Sequence, residues 1–201
     1  MRNLKLNNHP IFLLICAIFI GHQLNAQSKI PEPYINHASE GLIYNASFYY
    51  KDFSVSGLLV MKKQPTGYHV VLLAKMGPTL MDFIITDEDV IWKKAVKSLD
   101  NGLVTSQMEK DFRIMLLTPL ENPRKIKVKK RNRFKVKKAI TLIIETDTEG
   151  KRIKKAKTKR FGNFFKTFVS YHYMGDNLVP DQMRLRHRMI KLRIELNQLE
   201  Q

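Results

Sequence analysis

The sequence predicts a mainly β domain, a meander of short antiparallel strands that carries one amphipathic helix. Three observations lead there. Phe53, Val55, Gly57, Leu59 and Met61 alternate with Ser54 and Ser56, the period of a half-buried strand. Turn residues such as Pro65, Gly67 and Pro78 divide the apolar runs into short lengths. One stretch, Leu103 to Leu117, instead repeats its apolar residues at three- and four-residue spacing.

The chain opens with a segment built for export. Arg2 and Lys5 precede ten apolar residues, Ile11 to Ile20, and a polar stretch then ends at Leu24-Asn25-Ala26. A positive start, a short apolar middle and a small residue at the cut are the order of a signal peptide, so residues 1–26 are expected to be removed. A membrane-spanning helix would need roughly 20 apolar residues, and no later segment has that length. Cys16 is the sole cysteine. A lipid anchor there would want a small residue before it, and Ile15 stands there instead, so cleavage near Ala26 is expected to discard it. The mature chain would then have no disulfide, no cysteine metal ligand and no thiol nucleophile. A 201-residue chain less a 26-residue leader is enough for one sizeable core. The expected organisation is a linker over 27–39, holding Pro31 and Pro33, and a single domain over 40–201.

Within that domain, strands are expected over 41–50, 53–61, 68–75, 79–86 and from Val90, with turns at 62–67, 76–78 and 87–89. The helix follows on Val104, Met108, Phe112, Met115 and Leu116, with Glu109, Lys110 and Asp111 on its polar side, and Pro119 and Pro123 end it. Strands resume around Ile126 and Val128, around Phe134 and Val136, and over 139–146, 151–160 and 164–174. From Gln182 the apolar parity runs Met183, Leu185, His187, Met189 and then slips to Ile190, Leu192, Ile194, Leu196. A one-residue slip is what a β-bulge produces.

Charge is unevenly placed. The net charge is +17, and residues 124–160 hold 17 Lys and Arg against Glu145, Asp147 and Glu149. Lys127, Lys129, Lys130 and Arg131 alternate around Ile126 and Val128, and Arg133, Lys135 and Lys137 around Phe134 and Val136. Lys154, Lys155 and Lys157 are expected to lie beside them, which gives a basic face. Lysines on edge strands also block stray pairing, so the same residues would serve as a solubilising edge. Seventeen positive groups this close repel one another, however. An anionic membrane returns about 1 kcal/mol per Lys or Arg near its surface. Export argues against nucleic acid as the partner.

Signals for catalysis are absent. His37, His69, His172 and His187 stand far apart and outside metal-ligand spacing. No nucleophile elbow, phosphate-binding glycine loop or Ser-x-x-Lys pattern occurs. No catalytic residue, metal or cofactor is therefore assigned. The apolar runs Val70–Leu73, Phe83–Ile85 and Leu142–Ile144 would fill a core on both faces of a sheet. They would equally border a cavity for an apolar ligand, because small barrels hold either side chains or one ligand. Phe53, Leu59, Met61, Phe83 and Trp92 are the candidate lining.

The strand Phe53 to Val60, the meander, the single helix, and the tail Pro180-Asp181-Gln182-Met183-Arg184-Leu185 leading to Lys191 through Leu196 together resemble the bacterial lipoprotein-localisation carriers LolA and LolB. The resemblance covers most of the mature chain as a pattern. It implies a strongly curved antiparallel sheet, a half-open β-barrel covered by a helix, around an apolar cavity for acyl chains. It also implies no catalysis. The lysine-rich strands have no counterpart in that pattern. The expected function is a non-enzymatic periplasmic carrier or binder of lipid or lipoprotein acyl chains whose basic face docks to an anionic membrane. The alternative is an exported interaction module that binds an acidic partner or glycan through the lysine-rich strands. A hydrolase would need a cleft that gathers His69, His172 or His187 with carboxylates.

Overall fold

The computed structural model describes residues 30–75, 77–97, 102–121, 126–130, 132–137, 141–159, 166–189 and 191–199. The leader expected over 1–26 lies outside them. Five strands come first: β1 (Leu42–Tyr50), β2 (Phe53–Gln64), β3 (Gly67–Ala74), β4 (Thr79–Ile85) and β5 (Val90–Ala95). The helix α1 (Gly102–Met115) follows, then a 3-10 turn at Thr118–Glu121. Seven more strands follow among the described residues: β6 (Ile126–Lys130), β7 (Arg133–Lys137), β8 (Thr141–Thr146), β9 (Ile153–Lys159), β10 (Thr167–His172), β11 (Gln182–His187) and β12 (Leu192–Gln198).

All twelve strands form one antiparallel sheet in the order β5-β4-β3-β2-β1-β12-β11-β10-β9-β8-β7-β6. Two meanders therefore meet at the centre, where Phe48 of β1 lies opposite Ile194 of β12. The edges are β5 and β6, so the sheet is not closed. The chain must cross from one edge to the other between Ala95 and Ile126, and α1 lies in that crossing.

The sheet wraps around α1. Trp92 of β5 donates its indole N–H to Glu109 at 3.0 Å, and His187 of β11 meets Asp111 at 2.8 Å. On a flat sheet β5 and β11 would stand roughly 29 Å apart, six spacings of about 4.8 Å. The two helix residues they reach are only about 3 Å apart along the axis. Only a strongly curved sheet brings both strands to one place. Register shifts in β3, β4, β6 and β8 sharpen the bend locally.

Two expectations need correcting. The parity slip in the tail is a chain reversal. Residues 182–187 and 192–198 are separate strands that pair with each other, Gln182 opposite Asn197 and Arg186 opposite Arg193. A short turn shifts parity as readily as a bulge does, and periodicity alone does not separate them. The entry segment is also more than a linker. Tyr34–His37 forms a 3-10 turn, and Tyr34 and Ile35 are buried in the core. Its prolines suggested an extended tether, but two large apolar side chains in four residues gain more from burial than from solvent.

Gly57 marks a close approach between strands, as Gly67 does against Ile85. A Cβ there would stand 2.0 Å from the carbonyl oxygen of Leu73 on β3. Gly57→Ala must push β2 from β3, and we expect a loss of about 1–3 kcal/mol in urea denaturation. Gly102→Ala is the control. Nothing lies within 4 Å of its Cβ position, so stability should be unchanged or slightly raised.

Candidate functional site

Strand alternation sends one set of side chains to the concave side. Leu42, Tyr44, Ala46 and Phe48 of β1 are buried there, and Leu59 and Met61 of β2 pair against Tyr44 and Leu42. On their other flank Leu59 and Met61 face Leu72 and Val70 of β3. Helix α1 presents Met108, Phe112 and Met115 to the same interior, all buried. The Phe112 ring meets Phe83 edge-on at 5.2 Å and lies tilted to Phe48 at 6.4 Å, and Phe83 lies tilted against Trp92 at 4.6 Å.

Leu59, Met61 and Phe83 have 0% exposure, so no surface a water molecule could reach. In this conformation α1 occupies the space they border. Trp92 is half-buried at the β5 edge and is tied to the helix through Glu109. Phe53 opposes Tyr50 in the register, and its side chain lies outside the described residues.

Polar ties, not apolar packing alone, hold α1 in place. Asp111 is fully buried, and its carboxylate meets His187 Nε2 at 2.8 Å and accepts from Gln107 at 2.9 Å. The other imidazole nitrogen lies 3.2 Å from the Thr167 hydroxyl of β10. Burial pushes the Asp111 carboxyl above the usual carboxylate range, and the hydrogen bond and charge of His187 oppose that rise. Further along, Arg113 donates to the carbonyls of Thr86 at 2.7 Å and Asp89 at 2.8 Å. The Tyr171 hydroxyl donates to the carbonyls of Ile114 and Met115, both at 3.1 Å, which satisfies acceptors that a helix C-terminus leaves open. Beyond the helix, Glu121 accepts from Lys63 at 3.0 Å and from the Tyr68 hydroxyl.

Asp111 had been placed on the polar side of the helix. It sits three residues after Met108 and four before Met115, so it lies on the buried face with them. That spacing was the available signal. Thr167, His187 and Asp111 have the composition of a hydrolytic triad. The threonine and the carboxylate are both buried, so as folded the row is a tie between helix and sheet. His69 pairs with Asp82 across β3 and β4 at 2.7 Å. Among the described residues no three His, Cys, Asp or Glu gather as metal ligands would.

The convex side carries the charge. Lys127 of β6 lies opposite Lys135 of β7, which opposes Ile143, which opposes Lys157 of β9. The adjoining row is Arg133, Glu145 and Lys155. Glu145 takes Lys157 at 2.9 Å and Arg133 at 3.6 Å, and the Lys157 hydrogen bond holds its carboxyl below the usual range. Lys129 and Lys154 are exposed. Arg131 and the side chains of Lys130 and Lys137 lie outside the described residues. Strand pairing adds residues that the sequence did not group with these. Lys157 opposes Phe168, which opposes Arg186, which opposes Arg193, which opposes Tyr49. Arg186 lies 5.7 Å over Phe168 and Arg193 4.3 Å over Tyr49. A groove of about 570 Å³ crosses β9 to β12, bordered by Arg152, Lys154, Lys155 and Arg184 and by Glu195, which pairs with Arg184 at 2.9 Å.

No protein-family model matches the chain, and no curated protein matches it. Among solved structures, it is similar to a LolA superfamily protein from Nitrosomonas europaea. The two share 7% sequence identity with a TM-score of 0.45, over 90% of this chain and 91% of that one.

The Asp111 tie has a pH signature. Its folded carboxyl titrates above the unfolded one, so the folded state keeps a proton that the unfolded state releases. The stability it contributes is greatest below the unfolded value and falls as pH rises through the folded value. Asp111→Asn cannot ionise, and like the protonated carboxyl it offers one acceptor oxygen and one donor. We expect the gap in stability, parent minus variant, to be larger at pH 4 than at pH 8. Urea titrations at both pH values would show a widening gap if the sign is wrong.

Proposed function

We propose that this protein is exported to the periplasm and there carries or binds acyl chains of lipid or lipoprotein on the concave side of its sheet, without catalysis. One observation carries the reading. The concave face is lined by fully buried apolar side chains, Leu59, Met61 and Phe83 among them, and its cover is a helix held by discrete polar ties. Such a cover can be exchanged for another apolar occupant when that occupant buries the sheet's apolar surface in its place and its binding offsets the release of the helix. In this reading α1 holds the place of the acyl chain and moves aside when the chain enters. The lining is Phe53, Leu59, Met61, Phe83 and Trp92. The basic convex side, Lys127, Arg133, Lys135, Lys155 and Lys157 with their neighbours, faces an anionic membrane during loading or delivery.

A second reading has its own support. The interior is filled as folded, and the groove across β9 to β12 is bordered by the exposed Lys154 and Lys155 beside the paired Arg152 and Arg184. The protein would then be an exported interaction module for an acidic partner or glycan. The lysines of β6 also lie on an open edge, where they discourage strand addition.

Native mass spectrometry of the protein purified from a periplasm, followed by organic extraction, separates the two. Near one acyl species per protein is expected. A bare mass that also refuses added lipopeptide would turn the assignment to the convex face. Trp92 is the sole tryptophan and bonds to α1, so its fluorescence reports the helix. Lipopeptide should produce a saturable emission shift, and binding without any shift would mean that α1 stays in place.

A further inference from the structure

Among the described residues two buried side-chain polar atoms lack a hydrogen-bond partner: Arg133 Nε, which lies 3.6 Å from the Glu145 carboxylate on the convex side, and the Tyr34 hydroxyl in the core. Tyr34 is 2% exposed, and its hydroxyl has no hydrogen-bond partner among the described residues. Buried hydroxyls normally find a partner, and leaving one unmade costs stability. The neighbouring tyrosines follow the rule. Tyr44 donates to the Pro180 carbonyl at 2.9 Å, Tyr171 to α1, and Tyr173 to the Ile153 carbonyl at 3.0 Å. Only Tyr34 in this cluster is left over.

Its position is informative. The Tyr34 ring lies 5.9 Å from that of Tyr171, whose hydroxyl binds the last carbonyls of α1. The orphan group therefore sits at the C-terminal end of the covering helix, on the concave side. A second local cost stands close by in the chain. Leu117, two residues past the helix, is buried with φ at 59°, a left-handed backbone that a leucine adopts at an energetic penalty. Both costs fall where α1 ends, so this end of the cover is the least optimised part of the interior. Burial also keeps the Tyr34 phenol protonated far above neutral pH, so it can act there as a donor.

We propose that the Tyr34 hydroxyl is the donor that receives the carbonyl or carboxylate oxygen at the head of a bound acyl chain. The chain then lies along the track of α1, head at Tyr34 and tail toward Phe83 and Trp92. This rests on the carrier reading above and sharpens it. The ligand must carry an oxygen acceptor at the end of its apolar chain, as a fatty acid, an ester or an amide does and an alkane does not.

The test is a cycle of two proteins and two ligands. Binding of hexadecanoic acid and of hexadecane to the purified exported protein is measured for the parent and for Tyr34→Phe. The parent should prefer the acid, and the variant should bind the acid about tenfold more weakly with hexadecane unchanged, the factor that one net hydrogen bond supplies. A diacylated lipopeptide, compared in the same way, tells an ester or amide carbonyl from a free carboxylate. Ligand-free Tyr34→Phe should melt at the parent temperature or above, because it removes only an unsatisfied group. A clearly lower melting temperature would show that the hydroxyl has a partner in solution and would overturn the proposal. So would equal acid binding by the two proteins. If the parent binds neither ligand, the carrier reading itself fails, an outcome distinct from a silent Tyr34.

Discussion

An apolar concave sheet face must be covered, and that constraint organises this protein. Two meanders meeting at β1 and β12 make a sheet too wide to stay flat and, with edges at β5 and β6, not closed on itself. Its inner side chains would face water if nothing filled the bend. The link between the two edges supplies the filler, because the chain has to cross there in any case. Helix α1 is amphipathic in composition, yet its surroundings are apolar over much of its circumference. Asp111 is therefore drawn into the interior, and His187 and Gln107 are what make its burial tolerable.

The same topology sorts charge from grease. Strand alternation sends Phe134, Val136, Leu142, Ile144 and Ala156 inward and their basic neighbours outward. Mutual repulsion on the convex side is relieved in part by Glu145, set between Arg133 and Lys157, and by Glu195, which takes Arg184 at 2.9 Å. Each of those pairs is partly exposed and worth little alone. The surplus of positive charge survives them, and it points away from the apolar interior. A carrier that meets a membrane with one side and holds its cargo on the other would have this division.

Local pattern revealed the parts that depend on local physics. The alternation from Phe53 to Met61 made β2 legible, and the spacing of Met108, Phe112 and Met115 made α1 legible. Pro65 and Gly67 marked the β2–β3 turn for the same reason. The tail was misread because a hairpin and a bulge leave the same parity slip at Met189 and Ile190. Asp111 was misread because an acid beside Lys110 looks solvent-facing until its place between Met108 and Met115 is counted. Tyr34 was passed over because Pro31 and Pro33 suggest a tether.

By itself the sequence determined the strand-rich class, the single helix, the apolar inward set and the lysine-rich strands. Each follows from period and composition within a dozen residues. Only the tertiary structure decided that β12 pairs with β1, that His187 meets Asp111 across 76 positions of chain, and that Arg186 and Arg193 extend the row begun by Lys127. It also decided that the Tyr34 hydroxyl has no hydrogen-bond partner among the described residues. Those contacts join residues far apart in the chain, and their energies depend on how the sheet curves, which no local window encodes.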